Sequence, residues 1–399
     1  MTDSRLNVSN RWLLPEGVDE FLPPQAIQLE RLRRDLLDLF SSWGYDLVIP
    51  PLMEYLESLL VGVGNDLELE TFKLIDQSTG RLMGVRADMT PQVARIDAHR
   101  LKLDSPVRLC YLDTVLHTRQ EGFASSRTPL QLGAELYGHA GLESDSEMLQ
   151  LMVAALRITN IENFHIDLGH VGIFRSLSKL AQLSEEQEAV LFDALQRKAK
   201  PEIESYLSTL NIDSSACAML VSLVELSGGI EMLDEAESCL AKSGAEVQAA
   251  LESLRKIARM ATSRMNGVPL HFDLAELRGY RYQSGLVFAA FVPGFGQEIA
   301  RGGRYDEVGR LFGRARPATG FSADLKTLMT LSAEVAGANP RAIHAPSSEC
   351  ERLQGFIQKL REQGERVINE LPGQQGGMTA LGCNRQIEKQ NGNWVVVDI

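Results

Sequence analysis

The chain turns back on itself through short glycine-bearing loops, and this restricts the kind of sheet it can build. Thr71 to Asp76 and Arg81 to Val85 alternate in polarity across Gln77-Ser78-Thr79-Gly80, the pattern of a hairpin. Val107 to His117 and Pro129 to Gly138 form a longer antiparallel pair around the polar loop Thr118 to Thr128. Leu286 to Val292 and Gln297 to Ala300 meet through Pro293-Gly294-Phe295-Gly296, and Phe164 to Leu168 and Leu270 to Leu274 add further strands. Parallel strands need long crossovers, whereas hairpins do not. The expectation is an α+β fold, an antiparallel sheet flanked by helices.

Residues 1–23 read as loop, punctuated by Pro15, Gly17 and Pro23. A helix is predicted over Gln25 to Trp43, where Ile27, Leu32, Leu36, Leu39, Phe40 and Trp43 recur at helical spacing. Gly44 caps it, and Tyr45 to Ile49 reads as a strand stopped by Pro50-Pro51. Pro91 to Arg100 is predicted helical. Residues 172 to about 262, rich in periodic Leu, Ala, Glu and Lys, read as an all-helical insertion. After the Ala-, Gly- and Pro-rich stretch Ser332 to Pro340 come a strand, a helix over Glu349 to Leu371, and two more strands. The domain expectation is therefore 1–331, carrying the insertion, and a small α/β unit over 341–399.

At 399 residues the chain is long enough for two or three domains with a sizeable core. A net charge of −13 disfavours a protein whose main task is to grip nucleic acid. Cys110, Cys217, Cys239, Cys350 and Cys383 form no C-x-x-C pair, which suits a reducing compartment rather than a disulfide scaffold. The N-terminal residues lack the apolar core of a signal peptide, and no run of about 18 apolar residues occurs, so a cytoplasmic protein is expected. Gly62-Val63-Gly64-Asn65-Asp66-Leu67 lacks the third glycine of a dinucleotide fingerprint. The seven histidines are dispersed, so neither a metal nor a cofactor is expected.

A scattered polar set on the predicted strands remains. Asp88 and Thr90, within Arg86-Ala87-Asp88-Met89-Thr90-Pro91, can face one ligand or simply cap the following helix. Gln131 and Glu135 lie four apart on a strand and so share a face, although a lone strand carboxylate is often a structural ion. Arg278-Gly279-Tyr280-Arg281-Tyr282 and Arg301-Gly302-Gly303-Arg304-Tyr305-Asp306 follow two further strands. The second stands between turn chemistry and ligand contact. Together they offer carboxylates to an ammonium or imidazolium and arginines to a carboxylate, which suits a free amino acid.

This ordered set resembles histidyl-tRNA synthetase and, more closely, the paralogous family of ATP phosphoribosyltransferase regulatory subunits, from about Pro15 to Leu331. Gly17 to Pro23 with the following helix, Gly44-Tyr45 and Pro50-Pro51 is similar to the class II dimerisation motif. Val107 to Gly138 is similar to the second class motif, and Leu277 to Phe288 and Ala300 to Asp306 to the two histidine-specific signatures. The resemblance implies that Asp88 and Thr90 hold the α-amino end of histidine, with Gln131, Glu135 and Tyr282 around the ligand and Glu135 towards the imidazole. It implies Arg278 at the carboxylate, and adds Arg127 and Tyr305 to the ligand-binding set. Asp88 stands where the synthetases have glutamate, and Gln283 where they have a second tyrosine.

The resemblance fails on the nucleotide side. The strand-helix Pro317 to Leu328 is similar to the class II segment whose arginine lies over ATP, but that position is Thr327, preceded by Lys326. The motif-two arginine position is His117, and the acid two residues on is Arg119. A charge-assisted hydrogen bond contributes about 1.5–3 kcal/mol, and each ~1.4 kcal/mol is tenfold in rate, so losing both cations should depress adenylation by several orders of magnitude. From Ser332 onward, 7 Lys/Arg against 8 Asp/Glu give a net of −1, unlike a tRNA grip.

The resemblance implies a non-catalytic subunit that acts with the short catalytic subunit of ATP phosphoribosyltransferase in the first step of histidine biosynthesis. It implies a dimer of this chain within a hetero-octamer of four catalytic and four regulatory chains, and feedback control by histidine, with no tRNA and no membrane as partner. A divergent histidyl-tRNA synthetase and a histidine-sensing module with another partner remain the alternatives.

Overall fold

Alternation along the longest strands sorts side chains onto two faces, and each face carries its own core. The computed structural model describes residues 12–60, 65–120, 126–265, 267–277, 279–280, 282–332 and 342–399. They divide into two compact units, one of 12–20 with 29–332, the other of 21–28 with 342–399.

In the larger unit, strand β1 (Asp46–Leu47) lies on the edge of the main sheet. Strands β2 (Met53–Tyr55), β3 (Phe72–Ile75) and β4 (Leu82–Val85) form a separate three-stranded sheet in the order β2-β4-β3. The main sheet continues with β5 (Val107–Thr114), β6 (Leu130–Tyr137), β7 (His165–His170), β8 (Ser227–Gly228), β9 (Leu270–Asp273), β10 (Leu286–Phe291), β11 (Glu298–Arg304) and β12 (Ala318–Asp324). Among the described residues its order is β1-β5-β6-β12-β11-β10-β7-β9-β8. Its centre is antiparallel, as the hairpins require, but β1 joins β5 and β7 joins β9 in parallel. The second of these follows from the chain path, because the helical block between β7 and β9 supplies the long crossover that parallel pairing needs.

One face of the sheet packs Leu112, Leu132, Leu136, Ile166, Leu168, Phe288 and Phe321 against the helices Leu142–Ile158 and Ala245–Arg264 in one continuous core. Residues one step along the same strands, Leu109, Tyr111 and Tyr137, turn to the other face and form a smaller core with Met89, Val93 and Tyr305.

Several sequence expectations are corrected. The predicted strand Tyr45 to Ile49 pairs only through Asp46 and Leu47. The pair Thr71 to Val85 forms a hairpin, but outside the main sheet. The helix after Asp88 changes at Ile96 from α to π geometry and runs to Leu101. The block expected to be all helical contains the two-residue strand β8. Among the described residues, no helix is long and apolar enough to cross a membrane.

The smaller unit contains β13 (Ala342–Ala345), β14 (Arg366–Asn369), β15 (Cys383–Gln390) and β16 (Asn393–Asp398) in the order β14-β13-β15-β16. Its core joins Ile343, Val367 and Ile387 to Leu353 and Ile357 of the helix Glu351–Glu362. The helix predicted over Glu349 to Leu371 therefore stops early. Gly364 adopts φ +83°, which reverses the chain, and Val367 enters the sheet beside Ile343.

Arg304, at the end of β11, fastens the sheet to the helix Leu142–Ile158. Its guanidinium contacts both carboxylate oxygens of buried Asp145 at 3.0 and 3.1 Å and donates to Ser144 Oγ at 2.9 Å and the Gly141 carbonyl at 3.2 Å. Burial pushes the Asp145 carboxyl up, and the Arg304 charge opposes that. Arg304→Met would leave Asp145 buried without its cation and should lower stability by about 3–5 kcal/mol. Urea unfolding measures this, and a change within the scatter of surface substitutions would show that the pair does not fasten the fold.

Candidate functional site

The polar face of β6 is the starting point of the site. Gln131, Gly133 and Glu135 alternate with Leu132, Ala134 and Leu136, so the leucines enter the helix-covered core and the polar residues face the opposite way. Glu135 is only 1 % exposed. Its Oε1 accepts from the Tyr111 hydroxyl at 3.0 Å, and its Oε2 accepts from the Tyr305 hydroxyl. Tyr111 shares a further hydrogen bond with Thr90 Oγ1 at 3.1 Å.

Space for this group comes from missing side chains. Gly320 lies opposite Glu135 across the β6–β12 pair, and a Cβ there would stand 1.6 Å from Glu135 Oε2. A Cβ on Gly133 would stand 2.4 Å from the Tyr111 ring. Burial pushes the Glu135 carboxyl up to about 8. The two tyrosine hydroxyls oppose the shift and the Asp88 charge adds to it.

Asp88 and Gln131 form the second half of the cluster. Asp88 Oδ1 accepts from the Thr90 backbone N–H at 2.9 Å and from Gln131 Nε2 at 2.7 Å, while Gln131 Oε1 accepts from the Met89 N–H at 2.9 Å. Asp88 thus accepts the N–H of Thr90, the first residue of the helix, and also joins the polar cluster. The half-exposed phenol of Tyr282 lies within electrostatic reach of Arg301, Asp88 and Glu135. Arg278 and Arg281 fall outside the described residues.

The fold therefore brings together Asp88, Thr90, Gln131, Glu135 and Tyr305, with Tyr282 nearby. Arg127 is used elsewhere. Its guanidinium donates to the His117 carbonyl at 3.1 Å and the Glu16 carbonyl at 3.3 Å, and lies 5.6 Å over the Phe72 ring. Arg304 and Asp306, read from the sequence together with Tyr305, serve structure: Asp306 Oδ1 pairs with Arg304 and accepts the Ala318 N–H at 3.0 Å. Sequence reasoning missed Tyr111. The available signal was its position on β5, opposite a glycine, Gly133, of β6.

Of the positions read as lost nucleotide contacts, His117 and Thr327 spend their polar groups on hydrogen bonds within the fold. His117 Nε2 lies 2.9 Å from the Ala87 carbonyl. Thr327 Oγ1 donates to Asp324 Oδ2 at 2.8 Å, so it reinforces the N-cap of the helix Leu325–Leu331. Lys326 Nζ donates to Thr128 Oγ1 at 2.9 Å, and burial holds its ammonium below the usual lysine range. Arg119 is exposed at the start of the loop.

Comparison with known proteins places this geometry in a family. Residues 17–328 match the histidyl-tRNA synthetase family pattern, and residues 340–397 match the ATP phosphoribosyltransferase subunit HisZ C-terminal domain. The chain is 55 % identical over 99 % of its length, and 99 % of the relative's, to an ATP phosphoribosyltransferase regulatory subunit of Alkalilimnicola ehrlichii. It is 56 % identical to that of Thioalkalivibrio sulfidiphilus over the whole of both chains. A crystal structure from Bacillus halodurans, described as an ATP phosphoribosyltransferase regulatory subunit/histidyl-tRNA synthetase, superposes with a TM-score of 0.82 at 27 % identity, covering 93 % of this chain and 96 % of that one.

Glu135 gives a pH signature. Its ordinary value is 4.5 and its folded value about 8, so between them the folded state binds more protons than the unfolded one. Stability must therefore fall as pH rises through that window. Glu135→Gln, which mimics the protonated group, should flatten the decline in melting temperature. Thermal unfolding across the window tests this, and an unchanged slope would contradict it.

Proposed function

The chain belongs to the family of ATP phosphoribosyltransferase regulatory subunits, and on that footing we propose that it conveys a histidine signal to the short catalytic subunit, without catalysing aminoacylation itself. It is a regulatory subunit with a histidyl-tRNA synthetase-like fold. The reaction it serves is the first step of histidine biosynthesis, in the cytoplasm, and the chain is needed there for full activity and for feedback inhibition.

The observation that carries this reading is the contrast within one sheet face. The amino-acid side keeps a connected set of acceptors and donors around Glu135, whereas the nucleotide side spends His117 and Thr327 on internal hydrogen bonds. Histidine would place its imidazole against Glu135 and its ammonium against Asp88 and Gln131, with Arg278 at the carboxylate and Thr90, Tyr282 and Tyr305 enclosing the ligand. A carboxyl that keeps its proton to about 8 meets an imidazole that loses its own near ~6.5. At neutral pH the carboxyl therefore keeps its proton and donates it to the acceptor nitrogen of a neutral imidazole. Histidine shifts the complex only by its differential affinity for two arrangements of the subunits.

Self-association as a dimer is supported by Leu47, Ile49, Leu52 and Met53, all exposed along the stretch from β1 to β2, with Ile49 74 % exposed. Four such chains with four catalytic chains complete the hetero-octamer.

Calorimetry should show histidine binding weakened at least tenfold by Asp88→Ala and by Glu135→Ala, and affinity unchanged from the parent chain in both variants would put the ligand elsewhere. The purified chain should show no histidine-dependent pyrophosphate exchange. Mixing it with the catalytic subunit should restore histidine-inhibitable phosphoribosyl transfer. Robust exchange, or no effect on the catalytic subunit, would overturn the reading.

A further inference from the structure

The helices Val171–Leu180 and Ala245–Arg264 and the residues leading into β10 line an open surface pocket of about 470 Å³, within the range that accepts small metabolites. Its polar lining includes His170, Arg175, Ser176, Lys179, Ser253 and Ser284. Arg175 and Lys179 are four apart on one helix, so their cations stand on one face. Neither forms an ion pair with a carboxylate among the described residues.

Glu246 is the acid in the lining. Its Oε2 accepts from Ser176 Oγ at 2.9 Å, and it lies in the first turn of Ala245–Arg264, where the helix dipole favours a negative charge. The lining thus carries two cations against one acid that already has partners. His170 Nδ1 accepts the Gly172 N–H at 3.2 Å, so in the neutral ring Nε2 carries the proton. Burial holds that ring down to about 4, so at neutral pH it offers a donor without a charge.

We propose that this pocket binds a small dianion, a phosphate- or dicarboxylate-bearing metabolite, between Arg175 and Lys179. The site is separate from the Glu135 cluster but is tied to it by the chain. Arg175 Nη2 donates to the carbonyls of Tyr280 and Gln283 at 3.0 and 3.1 Å, and its guanidinium lies 4.9 Å over the Tyr280 ring. In the chain, Tyr282 lies between the two residues that supply those carbonyls. An anion that fixes Arg175 therefore also fixes the loop bearing Tyr282.

Calorimetry of the full chain with inorganic pyrophosphate, and separately with L-malate, tests the proposal. Saturable one-site binding of at least one probe is expected, and the tighter probe assigns a phosphate or a dicarboxylate as the source. Lys179→Glu should weaken that binding at least tenfold. Ser253→Leu, which fills the pocket from a partly exposed position without altering charge, should do the same, with circular dichroism confirming that both variants fold. Failure of both probes to saturate, or an unchanged Kd in either variant, overturns the site. Because the variants lie outside the Glu135 cluster, that result would leave the histidine reading standing.

Discussion

A carboxyl group in the middle of a buried strand is costly unless both oxygens find partners, and the sheet around Glu135 is organised to supply them. Tyr111 reaches it from β5 and Tyr305 from the segment after β11, so three parts of the chain must align before the group is satisfied. Small residues make the alignment possible. With Gly133 and Gly320 in place of larger neighbours, the phenol and the carboxyl lie flat over the strands. Electrostatics, backbone pairing and residue size thus converge at one position.

Polar side chains near this sheet face are used in two different ways. Thr90, Tyr111 and Glu135 are joined through their side chains and Asp88 and Gln131 through the Thr90 N–H, and losing Tyr111 or Tyr305 would leave the buried Glu135 carboxyl short of a donor. At the positions that resemble nucleotide contacts, the side chains serve the fold. Thr327 contributes to the cap on Asp324, and His117 leans on the Ala87 carbonyl, so each helps the fold without a ligand.

What could be read in the sequence was what depends on local period. The alternation on β6 placed Gln131 and Glu135 on one face, and the helical spacing after Gln25 ended at Gly44, which adopts φ +82°. What escaped depends on distant partners. Arg304 stood undecided between turn chemistry and ligand contact because its partner Asp145 lies 159 residues away in the chain. Tyr111 escaped because an aromatic residue on a strand reads as core, and here its ring is core while its hydroxyl belongs to the site. Tyr45 to Ile49 had the composition of a longer strand, but a strand extends only as far as its neighbour pairs with it. Val367 matched a helical period and entered a sheet instead, because Gly364 had already reversed the chain.

The seam between β6 and β12 has a consequence during synthesis. Leu130 N–H on β6 donates to Asp324, 194 residues further along. At ribosomal rates of roughly 5–20 residues per second, the newborn β5–β6 hairpin waits about 10–40 s for that neighbour. Throughout that interval one flank of it, the one bearing Glu135, has no strand to zip against. The long delay gives chaperones a defined edge to shield, and a chain cut short before β12 would carry the same edge permanently.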